Sequence, residues 1–182
     1  MLHIKSLIVL LFLNTTVYCQ ADTPFDFLKI QNSIGKKFVF PICTSTMGNH
    51  YNSKSNIGKL TLINFWFENC EPCVAEIGAM KRLYEKYKNN KKIAIISFTF
   101  ESPQNALRFA KKHLLAYPVI CVSRRKCQEL NFQNGFPTTL ITSSLGIVAF
   151  ITSGGSIDPR EVDKEFNNIL IPKIEELLKN KR

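Results

Sequence analysis

Residues 59–67 are almost wholly apolar after Thr61, with little alternation, as expected of a central strand buried on both faces. The period then changes. From Cys73 onward Val74, Ile77, Met80, Leu83, Tyr84 and Tyr87 recur at helical spacing, and the pattern closes in Lys86, Lys88, Asn89 and Asn90. Pro72 suits the first turn, where its missing N–H costs nothing. Residues 92–100 read as a second strand, with Ile93, Ala94, Ile95, Ile96 and Phe98. Ser102 and Pro103 open another helix, whose buried face would be Ala106, Leu107, Phe109 and Ala110. Residues 118–122 form a short strand and 123–130 a helical turn. Residues 135–141 lead into a strand that turns at 143–146 and returns over 147–152 as a hairpin. The D-x-x-E pattern from Asp158 to Glu161, with Pro159, predicts a capping box. Val162, Phe166, Ile169 and Leu170 supply the stripe of that last helix, which Pro172 should kink before Ile174, Leu177 and Leu178.

The N-terminal third is less periodic. Residues 37–40 read as a short strand stopped by Pro41, and 44–55, rich in Ser, Thr, Asn and Gly, as a loop or hairpin tip containing a solvent-facing His50. Residues 20–34 look like a leader with a short helix around Phe25 to Ile30. Ahead of it, Lys5 precedes an uninterrupted apolar run over residues 7–13, and Val17 and Cys19 suit cleavage before Gln20. This predicts a secretory signal peptide over residues 1–19, because the run falls short of the roughly 20 residues needed to span a bilayer. Lipidation at Cys19 is the lesser alternative, since Tyr18 stands where such signals need a small residue. The product would be periplasmic or otherwise extracytoplasmic.

With 182 residues and 45% hydrophobic content, one domain over residues 35–182 can build its own core. Removal of residues 1–19 takes the formal charge from +10 to +9, through loss of Lys5. Export and the scatter of the basic pairs argue against nucleic acid as a partner. Six cysteines become five without Cys19, so at least one thiol has no intramolecular partner. Cys43 is expected to be a packed thiol, and Cys121 and Cys127 are slightly favoured as a small-loop disulfide over free thiols.

The chemistry concentrates at Cys70-Glu71-Pro72-Cys73, where a buried strand gives way to a helix. The first sulfur would sit at the unpaired N–H groups and positive dipole end of that helix, which favours a thiolate and makes Cys70 the nucleophile. Cys73, one turn in and better shielded, would attack a mixed disulfide on Cys70 and release the partner. Glu76 lies three residues beyond Cys73 on the same helical face and could take or return its proton. Glu71 and Glu68 place negative charge near Cys70, which opposes the thiolate and favours a reductant over a strong oxidant. A Cys-x-x-Cys pair is also half of many zinc sites. Such a site would need a second pair or spaced histidines. Cys121 and Cys127 have five residues between them, and His3, His50 and His113 form no pattern, so no metal ligand is assigned.

The order of elements is that of a thioredoxin-like domain, an α/β fold with a central mixed β-sheet flanked by helices and a short N-terminal β extension. Asn64-Phe65-Trp66, Cys70-Glu71-Pro72-Cys73, Glu76 and Gly135-Phe136-Pro137-Thr138-Thr139 together resemble the TlpA/ResA-like branch of exported thioredoxin-fold oxidoreductases. The resemblance implies a thiol:disulfide oxidoreductase without a cofactor, and assigns the proton-carrying role to Glu76. It implies a cis Phe136–Pro137 bond beside the cysteines. The Phe136 backbone would there pair with an extended substrate segment, while Glu71 and Pro72 complete the substrate-facing surface. It also implies protein disulfides as substrates, apocytochrome c being one in related proteins, and a membrane electron donor of the thiol-relay type. Asn64 replaces the buried acid of thioredoxins proper, and Asn69 replaces a common aromatic residue. The competing readings are a peroxidase, for which an activating arginine would be needed, and a non-catalytic binding or metal-carrying module.

Overall fold

The computed structural model describes residues 30–179. The expected signal peptide, Cys19 and nearly all of the expected leader helix therefore lie outside the described residues, among which no helix is long and apolar enough to cross a membrane. A small antiparallel hairpin, β1 (Cys43–Thr44) and β2 (His50–Tyr51), comes first. The main elements follow in the expected order: β3 (Leu60–Trp66), α1 (Glu71–Tyr87), β4 (Ile93–Thr99), α2 (Pro103–His113), β5 (Val119–Cys121), α3 (Arg124–Leu130), β6 (Thr138–Thr142) and β7 (Val148–Ser153). At the C-terminal end α4 (Pro159–Glu165) runs through a π-helical turn (Phe166–Leu170) into α5 (Ile171–Lys179).

The five-stranded sheet has the order β5-β4-β3-β6-β7. β3 is parallel to β4 and antiparallel to β6, so the sheet is mixed, and this strand lies at its centre. All seven of its residues are buried. Leu60, Leu62 and Trp66 face one core with Met80, Leu83, Phe109, Phe166 and Ile174. Ile63 and Phe65 face the other with Phe38, Phe40, Phe98, Cys127 and Leu140. A strand covered on both sides cannot alternate in polarity, which is why its sequence reads as one apolar run.

Several expectations are corrected. Residues 37–40 form no strand: Lys37 makes an isolated bridge with Ile147, and the Phe38 N–H donates to the Gly146 carbonyl. Pairing stops there because its partner turns away at residues 143–146, leaving Phe38 and Phe40 to plug the core. Gly146 adopts φ +76°, and a Cβ on it would lie 3.5 Å from the Phe38 carbonyl oxygen. α1 starts at Glu71 rather than Cys73. Its buried stripe is Cys73, Glu76, Ala79, Met80, Leu83 and Tyr87, whereas Val74 is exposed. A carboxyl thus occupies a core position that an apolar pattern cannot reveal. Leu107 and Ile169 are likewise exposed.

At α4 the Asp158 carboxylate accepts from the Arg160 N–H at 2.9 Å, but Glu161 pairs with Lys164, so the cap lacks the reciprocal half of a capping box. Pro172 does not break the helix. The preceding π turn contains Asn168, whose carbonyl a regular helix would press against the proline ring, and it holds Val162, Phe166, Leu170 and Ile174 on one buried face.

Phe98 is fully buried between Phe65, Phe38 and Phe40, whereas Val39 is half exposed. Phe98→Ala is expected to cost about 3–5 kcal/mol in urea denaturation of the oxidised protein, and Val39→Ala no more than about 0.5 kcal/mol. Equal effects would contradict this division of the core.

Candidate active site

The central strand delivers the cysteines. Beyond β3 the chain turns, with the Cys70 N–H donating to the Phe67 carbonyl at 3.2 Å. Cys70 is the N-cap of α1, and its Sγ accepts from the Cys73 N–H at 3.3 Å. The two cysteines are joined in a disulfide with their Cα atoms 5.1 Å apart. Shielding does not distinguish them as expected, since Cys70 is 4% and Cys73 6% exposed. Glu71 is exposed in the first turn of the helix and Pro72 half-buried.

The Phe136–Pro137 peptide is cis, and Pro137 is buried against the same site. Gly155, in the loop after β7, joins these parts. A Cβ on it would lie 3.2 Å from Pro137 Cγ, 3.2 Å from Glu76 Oε1 and 3.6 Å from Pro72 Cβ. A side chain here would require Glu76 or Pro137 to give way by a few tenths of an ångström, so glycine suits this close approach.

Glu76 is 6% exposed. Asn64 Nδ2 donates to its Oε2 at 3.3 Å and to Thr139 Oγ1 at 3.0 Å. Asn64 pairs in register with Ser97 on β4 and Thr139 on β6, and Thr139 with Thr152 on β7. Side chains paired across neighbouring strands share a face. A polar row therefore crosses four strands beneath the helix, and at its far end Thr152 Oγ1 donates to Glu165 at 3.0 Å. Burial, and after it the Glu165 carboxylate, push the Glu76 carboxyl up to about 8, against the opposing pull of the Asn64 hydrogen bond. Tyr117 is buried close by, its hydroxyl pushed up by burial and by Glu76. With Asn64, Trp66 and Cys73 it lines a small cavity behind the disulfide.

The surrounding charges differ from expectation. Arg108 Nη2 donates to both Glu68 carboxylate oxygens, at 3.2 and 2.9 Å. Glu68 is thereby answered, which leaves Glu71 as the acid that bears on Cys70. Cys121 and Cys127 do not form a disulfide. They lie against opposite cores of the sheet, Cys127 fully buried among Ile63 and Phe65 with its thiol pushed up to about 12, Cys121 half-buried on the other side. Cys43 is a half-buried thiol, as expected. Among the described residues no three His, Cys, Asp or Glu side chains are grouped to hold a metal ion.

The buried carboxyl makes stability depend on pH. Below about 4.5 it is protonated in both folded and unfolded chains; from there to about 8 the unfolded chain releases the proton while the folded one keeps it. Stability is therefore lost as pH rises through that window. Glu76→Gln has no proton to release and should gain relative to the wild type by up to about 4 kcal/mol between about pH 5 and pH 8, as urea midpoints of the oxidised proteins would measure. A constant difference would contradict the burial of an ionisable Glu76.

Against known proteins, the AhpC/TSA family model matches residues 34–151. Thioredoxin-like protein YneN of Bacillus subtilis is 27% identical over 112 residues, 60% of this chain and 65% of YneN, so the match spans just under two thirds of that relative. Thiol-disulfide oxidoreductase ResA of Bacillus anthracis is 32% identical over 142 residues, 78% of this chain and 82% of ResA. A thiol-disulfide oxidoreductase from Bacteroides fragilis has a similar structure, with a TM-score of 0.62 and 20% identity over 78% of this chain and 99% of that one, a likeness that speaks to fold alone. With the thioredoxin fold, the Cys70–Cys73 pair and these matches together, the chain belongs to the AhpC/TSA family, among its ResA-like thiol:disulfide oxidoreductases.

Proposed function

We propose that this protein is an exported reductant of protein disulfides. The observation that carries the reading is the buried Glu76 carboxyl, one turn beyond Cys73 and pushed up to about 8 by burial, where it can exchange a proton with a thiol. In the reduced protein the Cys70 thiolate attacks a substrate disulfide; one substrate sulfur leaves as a thiolate and a mixed disulfide forms. Cys73 gives its proton to Glu76, attacks Cys70 Sγ and releases the second substrate thiol, which leaves the disulfide now present. Asn64 orients Glu76 through its hydrogen bond. Phe136 and Pro137 offer an edge to an extended substrate segment beside Glu71 and Pro72.

Direction follows from charge. Glu71 beside Cys70 disfavours its thiolate, and above about pH 8 an ionised Glu76 does the same at Cys73, so the reduced pair gains little stabilisation and gives up electrons readily. Return to the dithiol requires a thiol donor, which in an oxidising compartment means a membrane-borne thiol relay. Apocytochrome c, whose haem-binding thiols must be reduced, is one substrate of matching chemistry.

A redox titration of the Cys70/Cys73 pair, with Cys70→Ala as control, tests this reading. A midpoint of about −200 mV or lower is expected, whereas one near about −120 mV would reverse the direction. Failure to reduce any model disulfide, or stoichiometric zinc or copper on the two cysteines, would sink it.

Two variants examine the roles. Cys73→Ser should accumulate the mixed disulfide on Cys70, visible by non-reducing mass analysis. Glu76→Gln should lower the rate about 10²-fold and remove a pH inflection near 8. An unchanged pH profile would take the proton-carrying role from Glu76.

A further inference from the structure

Three phenylalanines converge at the active-site end of the sheet. Phe67 follows β3, Phe100 follows β4, and Phe136 precedes Pro137. Phe67 and Phe100 stack with centroids 5.2 Å apart and planes at 28°. Phe136 stands edge-on to both, at 5.5 Å and 90° to Phe67 and at 5.4 Å and 76° to Phe100. All three are half-buried. The cluster adjoins the cysteines, because the Phe67 carbonyl takes the Cys70 N–H.

A cation completes it. The exposed guanidinium of Arg124 lies 3.8 Å from the centre of the Phe100 ring, and among the described residues no carboxylate pairs with it. Nearby acids are engaged elsewhere: Glu68 by Arg108, and Glu101 by the Glu68 N–H at 3.0 Å. Arg125 and Lys126 share the single carboxylate of Glu129, so this rim is net positive.

We propose that the cluster is a substrate subsite for an aromatic side chain with a carboxylate beside it, carried by the extended segment that flanks the target cysteine. The proposal rests on the disulfide-reductase reading and names its substrate class. Two near-parallel rings with a third edge-on form a corner where an incoming ring can add another edge-to-face contact. The carboxylate would answer Arg124, which the stack on Phe100 holds in place. A segment pairing with the Phe136 backbone places its neighbouring side chains over these rings.

The test uses two peptides, each with one cysteine held as a mixed disulfide with glutathione, identical except for Phe-Glu or Ala-Lys before the cysteine. The wild-type protein, recycled by dithiothreitol, should reduce the Phe-Glu peptide with kcat/KM at least about ten-fold higher, mostly through KM. Arg124→Glu and Phe100→Leu should bring that ratio close to one; Arg124→Glu, a surface change, keeps the test valid if Phe100→Leu fails to fold. Equal rates on the two peptides, with a small disulfide reduced normally, would overturn the subsite and leave the reductase reading intact. Should no disulfide be reduced, calorimetric binding of the same sequences, with serine for cysteine, to the oxidised protein decides it: about ten-fold tighter binding of Phe-Glu supports the subsite, and equal binding overturns it.

Discussion

Covering β3 on both faces constrains everything built at its end. A strand with all seven residues buried can carry a polar side chain only where that group finds a partner, and Asn64 is the polar side chain of β3 that faces α1 beneath Glu76. Its amide bridges Glu76 and Thr139, joining helix to sheet at the level of the cysteines. The helix is thus located by a polar contact and by the burial of Ala79, Met80, Leu83 and Tyr87. Its first turn, and the disulfide in it, take their position from that docking.

The same arrangement sets the electrostatics. Cys70 stands at the N-terminus of a 17-residue helix, where the backbone favours negative charge. Of the acids near it, Glu71 in solvent acts against that charge, while Glu76 in the interior keeps its proton near neutral pH. Glu68 does not count among them, since Arg108 answers its charge. A solvent-exposed acid is screened, so the opposition from Glu71 is modest, and Glu76 adds to it only where it ionises, above about pH 8.

Much of this was legible in the sequence. The central strand, the proline-led helices, the hairpin and the position of the cysteine pair follow from local rules, because each depends on neighbouring residues. What escaped depends on distant ones. Gly155 matters through Glu76 and Pro137, and Glu165 through its charge on Glu76. The separation of Cys121 from Cys127 depends on which face of the sheet each meets, and no short spacing encodes that. Glu76 itself stands out by its offset from Cys73, and Met80, Leu83 and Tyr87 are buried as their spacing predicts, but an apolar pattern assigns the core position in the second turn to Val74 rather than to the Glu76 carboxyl.

Glu76 and Glu165 also limit what the site can hold. The Glu165 carboxylate raises the cost of charge on Glu76, and the polar row between them provides hydroxyl and amide dipoles. Near neutral pH a proton therefore stays on Glu76. A thiolate formed at Cys73 would add a second negative charge to the same interior. In the proposed mechanism a proton stored on Glu76 relieves that cost when the disulfide is reduced, and an emptied Glu76 receives the Cys73 proton when the thiol attacks. In that mechanism electron transfer at the cysteines is tied to proton movement at Glu76, the carboxyl against which Gly155 packs.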